Sequence, residues 1–383
     1  MMTSPTVAIV TKARGTFFKP LYEAFAQAQP DGWRTALLWP AEHSSEHPEE
    51  LFTPRASNLD IVPLSSAGKS MKASDATLEG RPGPCQTSLP SRQMWRELAA
   101  RNVKAVLIHE FSPFTLQALL YARWKRLPVM VSTEVGKANG HFFGPRTRWW
   151  HAFWGQFVSG VVACCPAAHQ PLSGRKIPSV ATYHAVDSRL YLPAGRTKTG
   201  EPVTFVYLGQ MIRRKGLDLL LQAAVKLKAQ GGRPFSLLLV GGGDLDWVRQ
   251  MVQALSLSEQ VVLPGFLSGA AIRDALNSAD AFVLPTRQDT YAAVVHEAAC
   301  LGLPLLVSKH AGAAEALVQS GKNGFVIDPE DAAEFANRMA DLMQDTLREP
   351  MRAVSRDIGV AHSAHLRGGA LWQWMRDQSF ATA

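Results

Sequence analysis

Short runs of β-branched or leucine-rich residues alternate along this chain with longer segments whose apolar positions recur every three or four residues. The first run is Val7–Val10. Phe17, Leu21, Ala24, Phe25 and Ala28 then repeat at helical spacing until Pro30 and Gly32 stop them. Further strands are predicted at Ala36–Trp39, Ile61–Leu64, Ala105–Ile108, Val129–Ser132 and Gly160–Ala163, with an amphipathic segment at Phe114–Trp124. Residues 65–93 are rich in Ser, Gly, Pro and Lys without any period, which predicts a mobile surface loop of the first domain.

From Val203 the alternation restarts. Strands are predicted at Thr204–Leu208, Ser236–Val240, Val261–Leu263, Ala281–Leu284, Pro304–Val307 and Gly324–Ile327. Helices fall between them at Lys215–Gln230, Leu245–Leu255, Ala270–Ser278, Ala292–Leu301 and Pro329–Met343. Near-continuous apolar strands separated by such helices indicate a parallel sheet covered on both faces. A polar stretch flanked by prolines, Pro193–Pro202, divides two doubly wound α/β domains. The boundaries are 1–187, 188–362 and a last helix within 363–383 whose Leu371, Trp372 and Met375 pack back on the first domain. In such sheets ligands bind beyond the carboxyl ends of the strands, so the loops after Leu208, Val240, Leu284 and Val307 are where chemistry should gather.

Composition narrows the class. The chain has 383 residues, 46% apolar and 19% charged, which excludes a disordered, collagen-like or coiled-coil protein. Four cysteines without paired spacing suit a reducing cytosol, and no run of signal-peptide or membrane-spanning length is seen, so the expectation is cytoplasmic. Charge is unevenly placed. Residues 101–200 hold 13 Lys/Arg against 3 Asp/Glu, while residues 1–100 hold 10 of each and residues 201–383 hold 17 and 19. Localised positive charge draws an anionic partner or surface, unless it is simply a solvated face.

Two segments could carry chemistry. Gly209-Gln-Met-Ile-Arg213-Arg214-Lys215-Gly216 follows a strand and opens a helix, where a glycine permits close approach and three cations would hold an anion such as a diphosphate. Cations at a helix N-terminus otherwise oppose its dipole. In the second, Asp289 and Glu297 are two carboxylates separated by seven residues. With a helix starting near Tyr291, Asp289 stands beside its free N–H groups and Glu297 lies about 9 Å along the axis. Asp289 is also a good helix cap, and Glu297 could be an ordinary helix residue, although Val294, Val295, Ala298 and Ala299 make an apolar setting that is costly for a carboxylate without hydrogen bonds.

Taken in order, these segments resemble the nucleotide-sugar domain of the retaining glycosyltransferases of family 4, which have the GT-B fold of two doubly wound Rossmann-like domains facing across a cleft. Six elements recur over residues 203–345: the strand–Gly–Lys-Gly turn at 204–216, Gly241–Gly243, Val262-Leu-Pro-Gly265-Phe266, the acidic pair at 289 and 297, Gly302-x-Pro304, and Gly321-x-Asn-Gly324. Upstream, Tyr183-His184-Ala-Val186-Asp187 is similar to the family's junction motif, and residues 106–112 fit a loop of its acceptor domain. The resemblance implies that Lys215, with Arg214 or Arg213, neutralises the donor diphosphate beside Gly209. It also implies that Asp289 binds hydroxyls of the transferred sugar, Glu297 the ribose, the N–H groups of Tyr291 and Ala292 the phosphates, and Gly265, Phe266 and Leu267 the base. Glu134 ends a strand whose counterpart in relatives faces the acceptor, and is the candidate contact for the acceptor hydroxyl; His109 is a second acceptor-side candidate. Glu134 is equally compatible with a satisfied loop carboxylate, and a lone histidine at a strand end, such as His109, is more often a structural hydrogen-bonder.

Three departures bear on the donor. Gln210 stands where the family usually has Arg, Asp289 where it has Glu, and Ala292 where it has Gly. Asp is shorter by one methylene, about 1.3 Å, and Ala is strained if a positive φ is required. No cofactor is implied and no metal is expected, since no carboxylate or histidine cluster has ligand spacing; the nucleotide-sugar is a substrate. The implied acceptors are glycans or lipid-linked glycans of lipopolysaccharide, capsule or exopolysaccharide synthesis. Peripheral contact with an anionic inner membrane face is expected through residues 123–157, where Trp150, Phe153, Trp154 and Phe157 would share a helix face among cations. A core-facing stripe is the other reading. A dinucleotide oxidoreductase lacks its glycine fingerprint here. A sugar-nucleotide epimerase, a sugar phosphorylase of the same fold, and a non-catalytic nucleotide- or nucleic-acid-binding protein stay open, although no nucleic-acid module is seen and no nucleic-acid partner is expected.

Overall fold

The computed structural model describes residues 4–11, 18–41, 55–65, 89–193 and 202–379, which form two compact units. Of the loop expected at 65–93, residues 66–88 lie outside the described residues.

The first unit holds a seven-stranded parallel sheet in the order β3-β2-β1-β4-β5-β6-β7. Its strands are β1 (Pro5–Thr11), β2 (Arg34–Pro40), β3 (Leu59–Leu64), β4 (Asn102–His109), β5 (Val129–Thr133), β6 (Gly160–Ala163) and β7 (Ser179–Ala181). Its first helices are α1 (Lys19–Gln27), α2 (Met94–Ala99), α3 (Pro113–Trp124) and α4 (Pro145–Trp154). Two apolar layers cover the sheet. One packs Val10, Ile108 and Val131 against Phe114 and Leu119; the other packs Val7, Ile9 and Leu107 against Leu21 and Phe25. Ser112 starts α3 by accepting the Thr115 N–H, while Thr115 Oγ1 accepts the Ser112 N–H, so a reciprocal cap fixes where the loop after β4 ends. The last helix of the chain, Ala364–Ser379, belongs to this unit: the ring of Trp372 lies 5.9 Å from that of Phe25 on α1, and a Cβ at Gly368 would stand 2.5 Å from that of Ala24.

The second unit, Asp187–Ser363 in its described part, holds six parallel strands in the order β10-β9-β8-β11-β12-β13. These are β8 (Val203–Leu208), β9 (Phe235–Val240), β10 (Val261–Gly265), β11 (Ala281–Leu284), β12 (Leu305–Ser308) and β13 (Gly324–Ile327). Between and after them run α5 (Leu217–Gln230), α6 (Leu245–Ala254), α7 (Ala270–Asn277), α8 (Ala293–Cys300), α9 (Gly312–Leu317), α10 (Ala332–Met343) and α11 (Asp345–Ala361); the terminal helix is α12. In both units the strand order reverses once, at β1/β4 and at β8/β11, where Ala281 pairs with Phe205 and Phe282 with Val206. Such a reversal opens a crevice at the strands' carboxyl ends. The loops that flank it in the second unit are 209–216 and 285–292.

Several elements differ from the sequence expectations. The helix expected from Lys215 begins at Leu217, because Gly216 adopts φ 71° and turns the chain first. A side chain there would collide with the Pro285 carbonyl, 2.1 Å from where a Cβ would sit. Arg213–Lys215 therefore form a separate 3-10 turn, outside the dipole of α5, whose own first turn carries Asp218. The helix expected from Ala292 begins at Ala293. The edge strand β7, three residues long, and the seventeen-residue α11 were not foreseen.

Candidate functional site

The two chemistry-bearing loops of the second unit meet. Lys215 Nζ lies 2.5 Å from Asp289 Oδ2, with the two side chains 14% and 13% exposed. Arg214 Nη1 donates to the Gln288 carbonyl at 2.6 Å, and Thr286 Oγ1 bridges the carbonyls of Arg214 and Gln288. Arg287, not singled out from the sequence, ties the same loops together through a two-pronged pair with Asp218 at 2.7 and 2.8 Å and a donation to the Arg213 carbonyl. Arg213 points elsewhere, its guanidinium 5.4 Å from the Trp247 ring on α6. Of the three cations, Lys215 meets Asp289, Arg214 meets the neighbouring Gln288 carbonyl, and Arg213 meets neither.

Asp289 is held from behind. Its N–H donates to the His310 carbonyl at 3.0 Å and its own carbonyl accepts from Gly312 at 3.1 Å. A Cβ on Gly312 would sit 2.1 Å from the Thr290 oxygen, so that residue permits the approach. Oδ1 accepts the Tyr291 N–H at 3.3 Å. Asp289 therefore does part of a cap's work while facing a cation, and the Tyr291 N–H, expected to meet a phosphate, is here spent on it. The N–H groups that open α8 are those of Ala292, Ala293 and Val294; the first turn of a helix leaves such donors without partners inside it. Ala292 has φ 71° and ψ 73°, the left-handed conformation that glycine adopts at least cost. Alanine in that position is strained, as the departure from the family pattern implied.

Glu297 is buried on α8 among Val295, Ala298 and Ala299. Burial pushes its carboxyl up to about 7, and a hydrogen bond from the Tyr191 hydroxyl opposes that rise. Neighbouring His296 turns away, to the Gly359 carbonyl at 2.9 Å. On the other side of β8, Gly241 (φ 148°) lets the chain pass within 1.8 Å, measured from a hypothetical Cβ, of the Gly209 oxygen, and its N–H donates to the Gly265 carbonyl at 2.9 Å. Gly209, the Gly241–Gly243 turn and the segment 265–267 are thereby drawn to one end of the sheet. Phe266 stands 77% exposed there, a flat apolar face without cover.

In the first unit, Glu134 follows β5. Its Oε1 lies 2.8 Å from His184 Nε2, and the side chain is 31% exposed. The principal residue missed from the sequence is Glu110, directly after β4 at the reversal of strand order. It has φ 54°, and its carboxylate accepts the Thr133 hydroxyl at 2.9 Å and the Glu134 N–H at 2.7 Å. His151 Nε2 of α4 lies 3.4 Å away. A signal was available, since Glu110, Glu134 and Asp187 are the only acids among residues 101–200. Rare acids in a basic segment merit attention, above all the two that directly follow strands, Glu110 and Glu134. His109 is buried, its Nδ1 3.3 Å from Ser132 Oγ and its ring 4.3 Å from that of Phe18, the arrangement of a structural hydrogen-bonder.

The aromatic stripe divides. Trp150 and Trp154 pack on the core of the first unit, with Trp150 Nε1 donating to the Phe111 carbonyl at 2.9 Å. Trp149, 62% exposed, stacks on Phe153, 43% exposed, with Phe157 beside them. Among the described residues no group of three or more His, Cys, Asp or Glu could hold a metal ion, and no helix is long and apolar enough to cross a membrane.

Two doubly wound sheets, one of them with a Lys–Asp pair just ahead of a helix at its reversal point, define a class that comparison with known proteins makes specific. Residues 192–357 match the family model for glycosyl transferases group 1. The putative colanic acid biosynthesis glycosyltransferase WcaL of Salmonella typhimurium is 29% identical over 158 residues, 39% of this chain and 38% of that one. The chain thus spans about two fifths of the length of the WcaL relatives it matches. Two solved structures align over nearly the whole chain: a glycosyltransferase from Rickettsia africae (TM-score 0.72, 13% identity, 99% of each chain) and Anabaena HepE in complex with UDP (TM-score 0.70, 16% identity, 97% of this chain and 100% of that one). At such identities these show the fold alone, which is GT-B with two Rossmann-like domains.

Proposed function

We propose that this protein is a retaining glycosyltransferase that moves a hexose or related sugar from a nucleoside-diphosphate sugar to a glycan or lipid-linked acceptor. The observation that carries the reading is the meeting of Lys215 and Asp289 at the amino end of α8 inside a group 1 domain. As the glycosidic bond breaks, negative charge develops on the departing diphosphate. Lys215, Arg214 and the N–H groups of Ala292 and Ala293 are fixed donors that stabilise it, and the loop contacts of Thr286, Arg287 and Gly312 keep them in place before the reaction begins. Asp289 binds hydroxyls of the transferred sugar and Glu297 those of the ribose. Phe266 offers a stacking face to the base. Glu134, backed by Glu110 and paired with His184, contacts the acceptor hydroxyl. In this reading a phosphate oxygen of the leaving group takes the acceptor's proton on the face it departs from, so the anomeric configuration is kept.

The WcaL relationship favours extracellular or envelope polysaccharide as the product. Trp149 and Phe153, with Arg146 and Arg148 on the same helix, suit an anionic bilayer surface, where aromatic rings sit at the headgroup level and cations are attracted. The test is nucleotide release from UDP-, GDP- and ADP-sugars, each with and without a membrane glycolipid extract. Release from one donor that the extract accelerates supports transfer. Equal stability of all donors, or turnover only with inorganic phosphate, would overturn the proposal.

A further inference from the structure

The two apolar layers of the first unit's sheet are covered by different helices, and their outer surfaces differ. α1 and α12 cover one layer and, among the described residues, expose one large apolar side chain, Leu366. α2, α3 and α4 cover the other and expose Trp95, Leu120 and Trp124, then Trp149 and Phe153, with Phe157 just beyond. Single exposed apolar side chains are ordinary, whereas contiguous ones mark a contact. On α2 and α3 they are contiguous. The Trp95 and Trp124 rings stack at 5.5 Å and Tyr121 meets both edge-on. Trp95 Nε1 donates to the Gln117 carbonyl at 3.1 Å, which pins α2 to α3. Trp124 nevertheless stays 63% exposed, and Leu120, one turn before it, 48%.

Charge selects the partner. Arg96, Arg123, Lys125 and Arg126 lie on α2 and α3 or directly after α3, all exposed, and the one acid on these two helices, Glu97, is paired with Arg101 at 2.7 Å. Lys125 Nζ stands over the Trp124 ring, 4.1 Å from its centroid. α4 carries Arg146 and Arg148 at its amino end and no acid. Cations there oppose the helix dipole, so helix stability does not account for them. Those at the end of α3 suit the dipole of that helix, but a dipole gives no reason to leave Leu120 and Trp124 in water. With Trp95 against it and Lys125 over it, the Trp124 ring keeps no open flat face for a sugar to stack on. Aromatic edges beside long cationic side chains match instead the headgroup level of a bilayer. We propose that α2 and α3 form a second membrane-docking site through Leu120, Trp124, Lys125 and Arg126, so that the outer face of this layer, and not α4 alone, meets an anionic phospholipid surface. This rests on the membrane reading given above for α4 and adds to it a site on two other helices.

Flotation of the full chain with phosphatidylcholine vesicles, with and without about one-third phosphatidylglycerol, tests this at low and high salt, with melting temperatures taken for every variant. A basic residue near an anionic surface contributes a factor of about five to binding. Lys125→Gln with Arg126→Gln should therefore bind the anionic vesicles about 25-fold more weakly than wild type at low salt, and the difference should shrink at high salt. Leu120→Ser removes apolar surface and no charge, and should weaken binding about fivefold. Lys19→Gln with Arg376→Gln takes the same charge from α1 and α12 and should stay within about threefold of wild type. Equal losses in the two charge variants would mean a response to net charge and overturn the proposal, as would wild-type binding by both α2–α3 variants. A wild-type dimer in sedimentation that Leu120→Ser dissolves would give this face to a second copy and overturn it too. Binding that only Trp149→Ala with Phe153→Ala weakens would overturn this site and leave the α4 contact standing, whereas a wild type indifferent to anionic lipid would overturn the membrane reading itself.

Discussion

Replacing Lys215 with methionine removes an ammonium while keeping a long apolar stem, so it isolates the charge. In the free protein that ammonium meets Asp289 Oδ2 at 2.5 Å, in a place where both side chains are about one-seventh exposed. Lysine has three donors, so a bound diphosphate can share it with Asp289 without breaking the pair. A hydrogen bond to a charged group is worth about 1.5–3 kcal/mol, which sets the loss of nucleoside diphosphate affinity in Lys215→Met at roughly 10- to 150-fold. The upper half of that range is expected, because the variant also leaves Asp289 un-neutralised beside the phosphates, with only the long 3.3 Å bond from the Tyr291 N–H. The corollary is a sign. Asp289→Asn alone should bind the free diphosphate no more weakly than wild type, and the double variant should bind at least about fivefold more tightly than Lys215→Met, a coupling of about 1 kcal/mol between neighbours. Isothermal titration of all four proteins with the same nucleotide gives the full cycle. Lys215→Met within twofold of wild type, or a double variant no better than the single, would refute the reasoning.

Ala292→Gly removes a methyl but relieves a left-handed alanine worth about 1–2 kcal/mol, so it should be near neutral in urea unfolding, whereas Ala298→Gly, inside the same helix, should cost about 1–2 kcal/mol. Equal losses at the two positions would contradict the strain. Glu297 has a folded-state value raised from the ordinary carboxylate range to about 7, so it binds a proton that the unfolded chain has already released. Its stability penalty is therefore absent below about pH 4.5, grows as pH rises to 7 and is complete above; Glu297→Gln should be more stable than wild type at pH 8 by up to about 3 kcal/mol and should lose that advantage at pH 4.5, measured by denaturant unfolding at the two pH values. Trp149→Ala with Phe153→Ala should weaken flotation with phosphatidylglycerol vesicles while leaving thermal stability nearly unchanged, whereas Trp150→Ala should destabilise the protein. Binding indifferent to anionic lipid would remove the membrane assignment.

The layered architecture was legible because strands buried on both faces read as continuous apolar runs, and each of Gly160–Ala163, Ala281–Leu284 and Gly324–Ile327 stands where the pattern put it. Elements supported by less burial were harder. Strand β7 is three residues long and only partly buried, and α11 is a mostly polar helix with Pro350 in its interior. In the candidate site, the strand-end loops together with the family resemblance were enough to bring Lys215 and Asp289 together, because the reversal of strand order joins their loops. It was not enough to separate Arg213 from Arg214, since the direction each side chain takes is decided by Trp247 and by the Gln288 carbonyl, residues 34 and 74 positions away. Glu110 escaped for the same reason: its contacts come from partners distant in sequence, Thr133 and His151.

A crystal structure of the protein soaked with its tightest-binding nucleoside diphosphate would test the central claim most directly. Phosphate oxygens are expected within hydrogen-bond reach, about 3 Å, of Lys215 Nζ and of an N–H of Ala292 or Ala293, with the ribose at Glu297. A nucleotide seated in the first unit, or one bound in the second with its phosphates away from both Lys215 and the start of α8, would contradict it.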